Sequence, residues 1–186
     1  MKTKTMRLLM MAAVAAAIGG LLTGKEKEMN ALKLTSTAFV HNGKIPARYT
    51  GEGADVSPPL KWEGAPAGVK SWALICDDPD APVGTWVHWV IYGLPAQTAG
   101  LPENVARKEV LPELGGAKQG LNSWGRACYG GPMPPPGHGV HHYHFRLYAL
   151  DIEPALKPRA TRQQLDAAMK GHILAETELV GLYERR

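Results

Sequence analysis

Short runs in which apolar positions recur every second residue dominate this chain, which is the period of half-buried β-strands. Leu32, Leu34, Ala38 and Val40 fall at even spacing and read as a first strand. His41–Lys44 (HNGK) is a turn centred on Asn42-Gly43. Tyr49–Gly68 is dense in Gly and Pro, with Leu60 and Trp62 marking a short strand inside it. Ser71–Cys76 (SWALIC) is nearly continuous in apolar residues, the mark of a strand buried on both faces. Gly84 permits a reversal, and Thr85–Tyr92 (TWVHWVIY) returns as a second buried strand, its alternation placing Trp86, His88, Val90 and Tyr92 on one face. A third lies at His141–Tyr148: His141, Tyr143, Phe145 and Leu147 share the face that Phe145 and Leu147 mark as buried, and His142, His144, Arg146 and Tyr148 share the other.

Near the C-terminus the period changes. Thr161-Arg162-Gln163-Gln164 matches a capping box. From there Leu165, Met169, His172/Ile173, Leu179/Val180 and Tyr183 keep a roughly helical spacing, which predicts a helix running to the chain end and packing on the strands. Gly171 inside it costs ~1 kcal/mol relative to Ala. The expectation is therefore a mainly β chain, an antiparallel β-sandwich of two sheets with a C-terminal α-helix.

Composition narrows the class. At 186 residues, 45% of them hydrophobic, with 21 Gly and 15 Pro, this is one folded domain rich in turns. The net charge is +4, but Lys2, Lys4 and Arg7 supply three of those charges, and no basic stripe points to nucleic acid. The same three cations precede an apolar run, Leu8–Leu22, so residues 1–24 read as a signal peptide and 31–186 as the domain. Cleavage fits either Ala15-x-Ala17 or a site near Gly24. The expected location is exported, periplasmic or secreted; the alternative is cytoplasmic, with Met29 as the true start.

Candidate chemistry gathers at strand ends. Tyr129–Val140 (YGGPMPPPGHGV) is a stiff Pro/Gly loop, and His141 and Tyr143 lie directly beyond it. They are either pocket residues or core residues satisfied by backbone hydrogen bonds. Asp77, Asp78 and Asp80 follow a buried strand and need partners or solvent. Trp124 is a wall or a core ring.

D-P-D-A-P, then W-x-H-W, then G-P-x-P-P-x-G-H-G-x-H-x-Y-x-F, together with Ser57–Trp62 (SPPLKW), resembles the phosphatidylethanolamine-binding protein family, in its bacterial Raf kinase inhibitor-like branch. The resemblance covers Leu32 to Leu182. It implies Greek-key connections in the sandwich and a small anion pocket made by Asp78, His88, His141 and Tyr143, with Asp80 and the Pro132–Pro136 loop as rim. The implied ligand is a phosphate-like anion or a phospholipid head group, with a protein partner such as a kinase or protease as a further possibility. His142 stands where animal relatives usually carry Arg, so their contacts there do not carry over.

Two imidazoles and a phenol in that set can donate to an oxyanion, with Asp78 fixing the tautomer of a ring. The reading calls for no cofactor. A metal site has ligand types in its favour at His138, His141, His142 and His144, but strand alternation sends His142 and His144 away from His141. A hydrolase using the Asp/His set on an ester or phosphoester is the alternative; no Gly-x-Ser-x-Gly elbow is present. Cys76 and Cys128 are either a disulfide pair or core residues.

Overall fold

The structure, a computed structural model, describes residues 31–186. The segment 1–24 read as a signal peptide, and Met29, lie outside the described residues. Ten strands and one α-helix follow in the order β1 (Lys33–Thr35), β2 (Gly43–Lys44), β3 (Leu60–Glu63), β4 (Ser71–Asp78), β5 (Trp86–Pro95), β6 (Gly100–Leu101), β7 (Val110–Leu111), β8 (Ala117–Gln119), β9 (His141–Leu150), α1 (Arg162–Met169) and β10 (Ile173–Tyr183). They form a three-stranded sheet, β1-β3-β6, and a seven-stranded sheet, β2-β10-β9-β4-β5-β8-β7. Pairing is antiparallel except between β2 and β10, which run parallel.

The small sheet lies across one face of the large one. Leu34, Leu60, Trp62 and Leu101 from the small sheet share a core with Trp72, Leu74, Trp89, Ile91, Phe145 and Leu147 from the large. Trp62 and Trp72 meet across it with ring centroids 5.6 Å apart. The opposite face of the large sheet carries Ala73, Ile75, Val90, Tyr92 and Leu150, covered by Leu165 and Met169 of α1. Cover on both faces explains why all eight residues of β4 are buried, as its continuous apolar run requires.

Two expectations about elements are corrected. The first strand stops at Thr35, because the Ser36 hydroxyl donates to Pro59 O (2.6 Å) and accepts from Ala38 N (3.0 Å), folding the chain into a local turn; Val40 is left exposed. The helix begins as read, with Thr161 and Gln164 forming the reciprocal capping box, but it spans only Arg162–Met169. Gly171 takes a φ of 81°, and Ile173–Tyr183 leaves as a strand against β9. A left-handed glycine is the usual helix stop, and eleven residues then join a sheet edge that would otherwise expose unpaired backbone groups.

A third correction concerns β5. Cys76 pairs with Trp89 and Asp77 with Val87, so His88 is an extra residue, a β-bulge. Parity changes at that point. Trp89 and Ile91 share the inter-sheet face with His88, whereas Val90 and Tyr92 lie under α1. A second extra residue, Gly93, sits in β5 at a φ of 69°.

Candidate functional site

Alternation on β4 separates its two terminal carboxylates. Asp77 points toward α1, where Arg146 Nη1 reaches it at 2.6 Å and Arg162 also bonds it. Asp78 points to the other face and accepts from His141 Nδ1 at 2.7 Å, both side chains being buried. Asp78 Oδ1 also accepts from Asp80 N at 2.8 Å, fixing the corner. The third carboxylate, Asp80, accepts from the backbone N and Nδ1 of His142, at 2.8 and 2.7 Å. Although partial burial opposes it, those bonds hold the Asp80 carboxyl below its ordinary value.

Asp78, His88, His141 and Tyr143 converge on one cavity of about 190 Å³, walled by Trp86, Trp124, Pro82, Val83, Met133 and Pro135. Each wall has a local cause. The bulge turns His88 inward, where its Nδ1–H donates to Gly130 O at 2.7 Å. The His88 ring stands edge-on to Tyr143 and Trp124, with centroids 5.0 and 5.1 Å apart. Trp124 packs closely against Gly130, where a Cβ would come within 2.6 Å of the indole. The chain between is held by the Asn122 side chain, which accepts from Trp124 N and Arg126 N and donates to Cys128 O.

Two of the expected residues do not line the cavity. Asp80 is turned outward by His142, and Pro132 is buried within the loop, its carbonyl accepting from Gly51 N at 2.9 Å. Met133, Pro134 and Pro135 form that side instead. Tyr183, across from His141 in the β9–β10 ladder, is also absent from the lining; its hydroxyl bonds Glu52 Oε2 at 2.6 Å. His142 and His144 point away from His141, each paired with its own carboxylate, Asp80 and Glu178. Cys76 and Cys128 are both free and buried, and burial pushes the Cys76 thiol well up.

Electrostatically the cavity combines two neutral donors, Tyr143 Oη and Trp86 Nε1, with two imidazole rings whose N–H groups are already committed and the Asp78 carboxylate. Burial lowers the His88 pKa, opposed by the Gly130 carbonyl and the Asp78 charge, so at neutral pH this imidazole is uncharged. Burial and then the Asp78 charge raise the Tyr143 phenol, which stays a neutral donor. Two donors in the lining are buried without a well-formed hydrogen bond among the described residues: Trp86 Nε1, and Tyr143 Oη, which has the Asp78 carboxylate beside it. The sequence reading treated Trp86 only as a structural ring. His138, named from the sequence only as a possible metal ligand, places its Nδ1 2.8 Å from His141 Nε2. No periodic signal marks a loop residue that folds back onto a strand three positions later.

The two-sheet fold and the donor-lined cavity at the ends of β4, β5 and β9 define a small β protein with a polar pocket beneath a Pro/Gly loop. The chain belongs to the phosphatidylethanolamine-binding protein family, whose model matches residues 35–184. A UPF0098 protein of Pyrococcus horikoshii is 49% identical over 167 residues, covering 90% of this chain and 83% of that protein. One from Methanothermobacter thermautotrophicus is 50% identical over 154 residues, covering 83% of this chain and 99% of its own. Among solved structures, Escherichia coli YbcL, described as a new member of the mammalian family, matches with a TM-score of 0.78 at 31% identity, covering 83% of this chain and 99% of its own. A Chlamydia trachomatis homologue matches with a TM-score of 0.75 at 40% identity, covering 84% of this chain and 99% of its own.

Proposed function

We propose that this chain binds a phosphate-like oxyanion in the Asp78/His88/His141/Tyr143 cavity, presented by a phospholipid head group or by a phosphorylated partner protein such as a kinase. The observation that carries this reading is the pair of orphaned donors, Tyr143 Oη and Trp86 Nε1, in one cavity. A buried polar group without a partner is costly and rare, and two in one place call for a ligand that accepts hydrogen bonds. An oxyanion offers several acceptors within a few ångströms, and 190 Å³ holds a tetrahedral ion with its first substituent atoms. Exposed Val83, Trp124 and Met133 at the mouth give apolar contact to the organic group that carries the anion.

Calorimetric titration with sulfate tests the reading. Tyr143→Phe and Trp86→Phe each keep a ring and remove the donor, so each weakens sulfate binding by roughly 5-fold, Tyr143→Phe without lowering stability. Parent-like affinity in both variants sinks the oxyanion assignment. Turnover of a phosphoester that depends on His88 or His141 replaces binding with hydrolysis as the function.

A further inference from the structure

His141 has no nitrogen to spare for a ligand. Its Nδ1–H is given to Asp78 Oδ2 at 2.7 Å, and its Nε2 lies 2.8 Å from His138 Nδ1. Two imidazole nitrogens at that separation share one proton, one donating and the other accepting. With His138 as donor, His141 Nε2 is an acceptor and repels an oxyanion. With His141 as an imidazolium, its Nε2–H is already committed to His138. In both arrangements His138 holds the nitrogen that an anion would take from His141.

The contact is placed by the loop. His138 is exposed, whereas the His141 side chain is 1% exposed. It stands between Gly137 (φ 72°) and Gly139 (φ 91°), both in the left-handed region. A Cβ at either position would meet nothing within 4 Å, so packing does not require these glycines; the path of the chain does. That path turns His138 back over His141, while Gly137 N is anchored on Arg185 O at 3.0 Å. An exposed side chain on a fixed main chain leaves by rotation about its own χ angles. Asp78 from β4, Asp80 from the corner, His88 from β5, Tyr143 from β9 and Arg185, which donates to Pro134 O, are the titratable groups around the pair.

We propose that His138 is a built-in competitor for the anion at His141 Nε2: ligand entry displaces its imidazole, and His138 sets the affinity threshold of the pocket. The proposal rests on the oxyanion reading and concerns how that same site is regulated. A residue with a merely structural role loses affinity when truncated, whereas a competitor gains it.

Sulfate calorimetry on the parent, His138→Ala and His141→Ala separates the cases, with imidazole resonances of His138 followed by NMR during the titration. His138→Ala is expected to bind sulfate roughly 5-fold tighter than the parent, in line with release of one hydrogen bond. His141→Ala loses binding, and sulfate moves the parent's His138 resonances to those of a free side chain. Binding that His141→Ala abolishes but His138→Ala leaves equal or weaker upholds the oxyanion site and overturns the competitor. Sulfate binding to neither the parent nor His138→Ala overturns both.

Discussion

The Nδ1–H of His88 donates to the carbonyl of Gly130 at 2.7 Å, and burial holds this imidazole below its ordinary pKa of 6.5. The unfolded chain therefore binds more protons than the folded one between the folded value and 6.5. Stability contributed by neutral His88 is present above 6.5, falls as pH drops through that window, and levels off below the folded pKa. His88→Gln removes this contribution. Urea midpoints measured at mildly alkaline and mildly acidic pH should drop more in the parent than in the variant, and equal drops would remove His88 as the cause.

The same imidazole is expected to set the pH dependence of sulfate binding. An oxyanion beside it stabilises the charged form, so sulfate capture near neutral pH takes up a proton at His88. Affinity then falls as pH rises, by at most about tenfold per pH unit for one proton. Calorimetry in two buffers of different ionisation enthalpy reads the proton directly. His88→Gln should flatten the slope by about one proton. An affinity that ignores pH means that neutral donors alone hold the ion.

Asp77 is the anchor of α1. Its carboxylate is 1% exposed and holds both Arg146 and Arg162, which are themselves 29% and 25% exposed. Breaking a fully buried pair costs ~3–5 kcal/mol, but these arginines can reach water when freed, so Asp77→Ala should cost about 2–3 kcal/mol. Arg162→Ala should cost less, because Arg146 still neutralises the carboxylate. Chemical denaturation of the two variants checks the order; the reverse order would show that Arg162 acts through packing.

Gly131 fixes the loop over the pocket. Its N–H donates to Asp55 Oδ1 at 2.6 Å, and a Cβ would sit 2.5 Å from Tyr49 O and 2.7 Å from Thr50 Cα. Backbone cannot yield as a side chain does. Gly131→Ala should destabilise by roughly 1–3 kcal/mol, in the range of overpacking, and weaken sulfate binding as the loop shifts. Unchanged melting and unchanged affinity would show that the loop is not held here.

Export makes a separate prediction from Lys2, Lys4 and Arg7 ahead of Leu8–Leu22. Mass spectrometry of the native protein should find the chain beginning after a cut between Ala17 and a site near Gly24. An intact Met1 on a cytoplasmic protein overturns it.

Local alternation was enough to place His141, Tyr143, Phe145 and Leu147 on one buried face, because strand parity is a property of the backbone alone. The capping box at Thr161 and the buried character of β4 were equally local. The family motifs brought Asp78 and His88 to the same pocket, although they lie on different strands. What alternation misjudged depended on partners. The residues after Gly171 satisfy a helical and an extended spacing alike, and the open edge of β9 selected the strand. His88 shares a face with Trp89 because β4 offers one residue opposite two, and that register exists only once the strands are paired. The contact of His138 with His141, the outward turn of Asp80 and the orphaned Nε1 of Trp86 arise where loops close over the sheet. Sequence by itself determined the buried strands β4, β5 and β9 and the chemical types at their ends; tertiary structure decided the fate of the C-terminal segment and which atoms face the cavity, because register, bulges and loop paths are set by contacts between segments distant in the chain.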